Sequence, residues 1–157
     1  MISCKELAQI LEWGAVRAKN ELDIPTEALM VVLQTEAKSY IGNYQEGWAP
    51  LAESTLLGGT SPEGFRYPGK IELGYAPPDN PLLRTGQMRD SIEQAAASTG
   101  GGAMGMIGSD DPVALWQEMG TKRGIPPRPF LALAMMKSQE PATVIFGEFA
   151  MSLLMPK

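Results

Sequence analysis

The chain of 157 residues contains no histidine and only one cysteine, Cys4. Without histidine it lacks the commonest general base and metal ligand of proteins, and neither a Ser–His nor a Cys–His nucleophile pair can form. A lone cysteine cannot form an internal disulfide, so the fold does not depend on an oxidising compartment. We therefore predict no catalytic centre, no bound metal and no cofactor.

The sequence also lacks a long apolar run and a dense cluster of lysine or arginine. No stretch approaches the length of a membrane span, and the first residues lack the features of a secretory signal, so we expect a protein kept in a cytoplasm, without a membrane partner. Thirteen basic and eighteen acidic residues give a formal net charge of -5. This charge disfavours tight non-specific binding to nucleic acid, but it suits a surface that DNA slides past without sticking.

The composition is that of an ordinary globular protein, with 44% apolar and 20% charged residues. The length suits one hydrophobic core, so we predict a single domain over residues 1–157. Ser3 and Glu6 have the spacing of a capping box and start a helix that should end near Asn20. Asp23 starts a second helix that should reach about Ile41.

The middle of the chain is rich in proline and glycine. Over about 58–80 these residues predict an extended irregular loop without a self-supporting element, mobile in the free subunit and ordered by a neighbouring chain. Ser91 to Ala97 and Ala103 to Ser109 favour two strands of a β-hairpin with a flexible tip at about 98–102.

Short helices complete the pattern. One runs from Val113 to Met119 and is closed by Gly120, with Ala114, Leu115 and Met119 available to the core. A helix from Leu131 to Lys137 and a final amphipathic helix opened by Pro141 follow. The predicted fold class is α+β, with a small antiparallel sheet and hairpin packed against N-terminal and C-terminal helices.

Isolated carboxylates are the remaining candidates for chemistry. Glu53, Asp110, Asp111 and Glu118 could in principle do the acid–base work of a glycosidase. Asp110 and Asp111 fit a helix N-cap better, because an acid there satisfies free amides and opposes the helix dipole. The ten methionines favour gap-filling in the core over an adaptable partner surface.

Several segments in a fixed order carry a resemblance. They are Trp48 to Leu51, Ser54 to Leu56, Pro81 to Ile92, Ile107 to Ser109, Trp116 to Thr121 and Ile125 to Leu131. Their order and spacing resemble those of the tailed-phage virion morphogenesis family, whose members are neck, tail-completion and tail-terminator proteins. The sequence departs from the family at Gln117, where relatives commonly carry a histidine.

The resemblance implies a virion protein, assembled in the cytoplasm of an infected bacterium, that forms a ring at the head–tail junction. The ring would be a homo-oligomer, a hexamer or a dodecamer. Its neighbours would be neck, connector or tail-tube proteins, and genomic DNA would pass through its lumen without sequence-specific binding.

The candidate subunit interface is centred on Arg128. The flanking prolines stiffen its segment, so we expect the guanidinium to point outward and to lose little entropy on docking. A solvated Arg128 with Phe130 in the core is an equal alternative on the residues alone, and the resemblance favours the interface. The hairpin around Gly100 is expected near the same joints. The predicted interface residues are Arg128, Pro127, Pro129, Phe130, Trp48 and Trp116.

Two other functions stay open from the sequence. One is a cell-wall lysis enzyme that acts through carboxylates and turns over as a monomer. The other is an adaptor that binds one phage or host protein without forming a ring. Only the ring predicts a fixed multiple of this chain in a virion.

Overall fold

The structure is a computed structural model that describes residues 3–75 and 77–155. Within these ranges helices dominate and the strands form two small antiparallel sheets, β1 with β2 and β3 with β4, so the predicted α+β class is confirmed. The elements in chain order are α1 (Cys4–Glu21), α2 (Asp23–Tyr40), α3 (Glu53–Leu57), β1 (Gly58–Thr60), β2 (Arg66–Pro68), α4 (Gln87–Asp90), β3 (Ile92–Thr99), β4 (Gly102–Ser109), α5 (Pro112–Met119), α6 (Phe130–Lys137) and α7 (Gln139–Leu153).

The chain divides into two compact units, neither of which is continuous in sequence. The first contains Met1–Thr35, Glu93–Gly108 and Leu133–Lys157, and the second contains Glu36–Ile92 and Ser109–Ala132. The prediction of one domain over the whole chain stays a prediction.

The first unit begins with the predicted capping box. The Ser3 hydroxyl accepts a hydrogen bond of 3.2 Å from the amide of Glu6, and the Glu6 carboxylate accepts one of 2.7 Å from the amide of Ser3. Further along α1, Gly14 is buried against α7, where a Cβ would lie 3.1 Å from the carbonyl oxygen of Leu153. The close packing of these two helices therefore requires a small residue at position 14.

The β3–β4 hairpin of the first unit matches its prediction closely, with a turn at residues 100–101. A Cβ on Gly105 of β4 would lie 2.6 Å from the sulfur of Met30 on α2, so the glycine makes room for that buried side chain. Leu33 and Ala134 are buried in the same unit.

The second unit has its core around the end of α2, α4 and α5. Its buried apolar residues are Ala37, Tyr40, Ile41, Trp48, Met88, Ile92, Ala114 and Phe130. Gly42 follows the end of α2 with φ 99°, and its amide donates to the carbonyl of Pro81 at 2.8 Å.

The predicted irregular loop over 58–80 requires a correction, because it contains the hairpin β1–β2. Gly58 pairs with Pro68 and Thr60 pairs with Arg66. Strands of three residues are too short to show an alternating pattern, which is why the sequence did not reveal them. Gly58 has φ 83°, and a Cβ there would meet the carbonyl oxygen of Tyr67 at 2.5 Å, so its glycine permits the pairing.

Two other helix starts differ slightly from the predictions. α6 begins at Phe130, one residue earlier, and α7 begins at Gln139, two residues before the expected opening at Pro141. Proline is accepted in the first turn of a helix because the first amides have no partner within the helix.

Candidate subunit interface

Glu118, near the end of α5, holds the start of α6. Its carboxylate accepts hydrogen bonds from the backbone amides of Phe130 at 2.8 Å, Leu131 at 2.9 Å and Ala132 at 2.9 Å. The first amides of a helix lack partners within it, and a negative charge is favourable at this end of the helix dipole. Glu118 therefore joins the two segments that form the last part of the phage-family resemblance.

Gly120 lets the chain leave α5 in the direction that brings the start of α6 to Glu118. It has φ 70°, and a Cβ would lie 2.9 Å from the carbonyl oxygen of Ile125 and 3.0 Å from the backbone nitrogen of Pro127. The amide of Thr121 donates to that same carbonyl at 2.9 Å and closes the intervening loop. The sequence prediction that Gly120 ends the helix is confirmed.

Arg128 does not point outward, so this prediction was wrong. Its side chain is only 4% exposed, and Nη2 donates to the carbonyl oxygens of Ala49 at 2.9 Å and Pro50 at 3.2 Å. Nη1 donates to Oε1 of Gln117 at 3.4 Å. Carbonyls outside helices and strands need donors when buried, and a guanidinium offers five N–H groups in one plane. The side chain of Arg128, between its flanking prolines, therefore points towards backbone carbonyls of its own chain.

The six predicted interface residues fall into two groups. Arg128, Phe130 and Trp48 are buried within the second unit, so Phe130 anchors its segment as expected but offers no surface to a partner. Pro127 and Trp116 are exposed and Pro129 is half-buried. A subunit-interface role for all six residues stays a prediction.

The sequence reasoning missed a larger apolar surface beside Trp116. Leu115 is 63% exposed and Met119 is 72% exposed, although both were expected to be available to the core. Leu115, Trp116 and Met119 are at neighbouring positions on one helix, and we call these three residues the α5 face. Ala114 is the buried residue of the helix. Apolar spacing predicted the helix correctly but could not decide which side would be covered.

A cavity of about 600 Å³ lies in the second unit beside Arg128. Lys70 lines it, is 8% exposed, and donates through Nζ to the carbonyl of Asn80 at 2.7 Å. Burial lowers the pKa of Lys70, while the nearby carboxylate of Asp79 opposes that shift. Arg84 also lines the cavity, with its guanidinium 5.7 Å from the centre of the Tyr75 ring.

Over 3–75 and 77–155, no three or more histidine, cysteine, aspartate or glutamate side chains come together as they would around a metal ion. In the same part of the chain, no helix combines the length and apolar character needed to cross a membrane.

No protein-family model, no curated protein and no solved structure matches this chain. The likeness to phage neck proteins therefore depends on the sequence motifs alone.

Proposed function

We propose that this protein is a structural subunit of the neck of a tailed phage. It forms a homo-oligomeric ring at the head–tail junction, completes or terminates the tail, and joins the tail to the head. The observation that carries the proposal is the exposed α5 face, which lies on the helix that Glu118 ties to the segment after Gly120. Contiguous exposed apolar side chains on a firmly held element are typical of a protein–protein contact.

Exposed methionines support the same proposal in the first unit. Met104 and Met106 alternate along β4 and are 58% and 64% exposed, and Met135 and Met136 on α6 are exposed as well. The sequence favoured a core role for methionine, which is wrong for these four. Flexible, polarizable side chains suit a surface that adapts to a partner. The position of Met104 and Met106 on the hairpin agrees with a joint near Gly100.

The charge of the chain fits a lumen through which DNA passes. With a net charge of -5, repeated copies would repel the phosphate backbone and would not retain the genome. In this proposal the protein partners are further copies of the chain and the adjacent neck, connector or tail-tube proteins.

Two of the four carboxylates considered for an enzyme, Asp111 and Glu118, have structural roles. Asp111 caps α5, since its Oδ1 accepts a hydrogen bond of 2.9 Å from the amide of Val113. Glu118 is occupied by three backbone amides of α6. These bonds account for both residues without catalysis, so they give no support to the lysis-enzyme alternative.

Mass measurement of the purified protein, and of phage particles that contain it, tests the proposal. We expect a fixed multiple of the chain in the particle. A double variant, Leu115→Lys with Met119→Lys, should keep the fold, because both side chains are exposed, and should lose the oligomer, because two lysines cannot be buried at a joint.

Val144→Lys is the matched control, since Val144 is an exposed apolar residue on another helix, α7. A lysine there should leave assembly intact. An unchanged oligomer in the α5 double variant would remove the α5 face from the joint. A single copy bound to one partner would favour the non-ring adaptor instead.

A further inference from the structure

Two buried cations line the cavity of the second unit, and neither forms a salt bridge among the described residues. Lys70 and Arg128, 8% and 4% exposed, both line this space. The Lys70 ammonium has three donors and bonds to one carbonyl, and the Nε–H of Arg128 has no acceptor among the described residues. Buried charges in proteins are normally paired, because an unpaired charge is costly to remove from water.

The acidic side chains described in this chain do not balance the charges of Lys70 and Arg128. The described residues that line the cavity include no aspartate or glutamate. Asp79 is near enough to act on Lys70, but it lies outside the lining, and its carboxylate accepts a hydrogen bond of 2.8 Å from the hydroxyl of Tyr44. With Arg84 also in the lining, the cavity has an excess of positive charge.

The rest of the lining determines what kind of anion fits. Apolar side chains make up much of the wall, with hydroxyl groups of Ser54, Thr55 and Tyr67 between them; the apolar residues are Leu51, Leu73, Leu82, Leu83 and Val113. A volume of about 600 Å³ falls in the range that holds a ligand of several functional groups. A carboxylate carried next to an apolar group matches both parts of the wall better than a small inorganic anion.

The turn between β1 and β2 carries such a pair of groups. Glu63 is exposed there, and Phe65, two residues later, is 74% exposed. Two backbone hydrogen bonds close the turn: the amide of Ser61 donates to the carbonyl of Phe65 at 2.8 Å, and the amide of Gly64 donates to the carbonyl of Ser61 at 2.9 Å. A preformed turn loses little conformational entropy when it docks.

We propose that this cavity, which we call the cationic socket, receives the turn around Glu63 and Phe65 from a second copy of the chain. The Glu63 carboxylate pairs with Lys70, Arg84 and Arg128 of the receiving copy, and the Phe65 ring packs on its leucines. The inference rests on the proposed ring, since a turn that enters a socket elsewhere on the next copy is a heterologous contact and can close a ring.

Peptide binding to the full-length protein tests the socket directly. The probe is a capped peptide of residues 60–66, and the control is the same peptide with Glu63→Gln. Removing one partner of a desolvated charge pair should weaken binding by about tenfold or more. We expect this loss with the control peptide, with Lys70→Met protein, and with Arg84→Gln protein, whose exposed side chain makes misfolding a poor explanation.

Two results would overturn the socket: no binding of the peptide, or equal binding of the Gln control. Succinate and inorganic phosphate are measured in parallel. If either binds in a way that depends on Lys70 while the peptide does not, the site takes a free small anion and the second-copy proposal is wrong.

The full-length Glu63→Gln variant separates this inference from the ring itself. If the variant forms the wild-type oligomer and the wild-type protein does not bind the peptide, the socket is wrong and the ring stands. Peptide binding to the wild-type protein, without a fixed multiple of the chain in the particle, supports the socket and contradicts the neck function. The variant keeps the socket residues Lys70, Arg84 and Arg128, so loss of its oligomer together with retained binding of the wild-type peptide supports both proposals.

Discussion

The carboxylate of Glu118 accepts a hydrogen bond of 2.8 Å from the backbone N–H of Phe130, the first residue of α6. This contact joins the end of one short helix to the start of the next across a proline-rich loop. The contact links the segments Trp116 to Thr121 and Ile125 to Leu131 physically. The first segment supplies the carboxylate acceptor, and the second supplies backbone amides that have no partner within α6.

Replacing Glu118 by glutamine should destabilise the isolated protein. The amide side chain keeps the shape of the carboxylate but loses its charge, and it cannot accept all three bonds as strongly, so we expect a cost of about 1–3 kcal/mol in the free energy of unfolding. Urea unfolding measures this cost. Glu140→Gln, in the first turn of α7, is the matched control and should change stability by less than about 0.5 kcal/mol. Equal effects of the two changes would contradict the role of Glu118.

Arg128→Ala should destabilise the isolated subunit, independently of any effect on a subunit contact. The change removes the donor of part-buried hydrogen bonds to the carbonyls of Ala49 and Pro50, and we expect a loss of about 1–3 kcal/mol in unfolding free energy. Arg128→Lys should recover little of it, because an ammonium cannot reproduce the planar fork. Arg123→Ala, at an exposed arginine outside the cavity lining, is the control. Normal stability of Arg128→Ala combined with lost assembly would instead show that Arg128 acts on a partner.

Gly120→Ala and Gly147→Ala should change stability in opposite directions. At Gly120 an alanine is strained at φ 70°, and its Cβ would meet the carbonyl oxygen of Ile125 at 2.9 Å, so we expect a cost of about 2–4 kcal/mol. Gly147 lies inside α7 with no atom within 4 Å of its Cβ position, so alanine there should stabilise by about 0.5–1 kcal/mol. Thermal unfolding of both variants is the measurement, and a stabilised Gly120→Ala would contradict the proposed backbone constraint.

Tyr40 should make the protein less stable at alkaline pH. Burial raises the pKa of Tyr40, and the hydrogen bond that its hydroxyl donates to Glu36 raises it further. Above about pH 10 the unfolded chain loses this proton while the folded chain keeps it, so the unfolding free energy falls as pH rises. Tyr40→Phe removes this pH-dependent contribution of the hydroxyl. The difference in unfolding free energy between the wild type and the variant should therefore narrow at alkaline pH. A difference that stays constant with pH would show that the folded pKa is not raised.

The sequence by itself determined the features whose causes lie within a few residues. The capping box needs only Ser3 and Glu6, the start of α5 needs Asp111, and its end needs Gly120. The β3–β4 hairpin follows in the same way from two strand patterns around a run of glycines. Capping hydrogen bonds and turn conformations are local, so the residue types and their spacing are sufficient to predict them.

Only the tertiary structure decided which side chains are covered. Arg128 turns inward because carbonyls 79 and 78 positions away need its donors, and no local pattern indicates that need. The same applies to the α5 face, which has an apolar pattern compatible with the core but is left exposed, and to Lys70 and Arg128, which the fold brings to one cavity. Burial depends on which distant segments meet, and the sequence spacing of a single helix or loop does not contain that information.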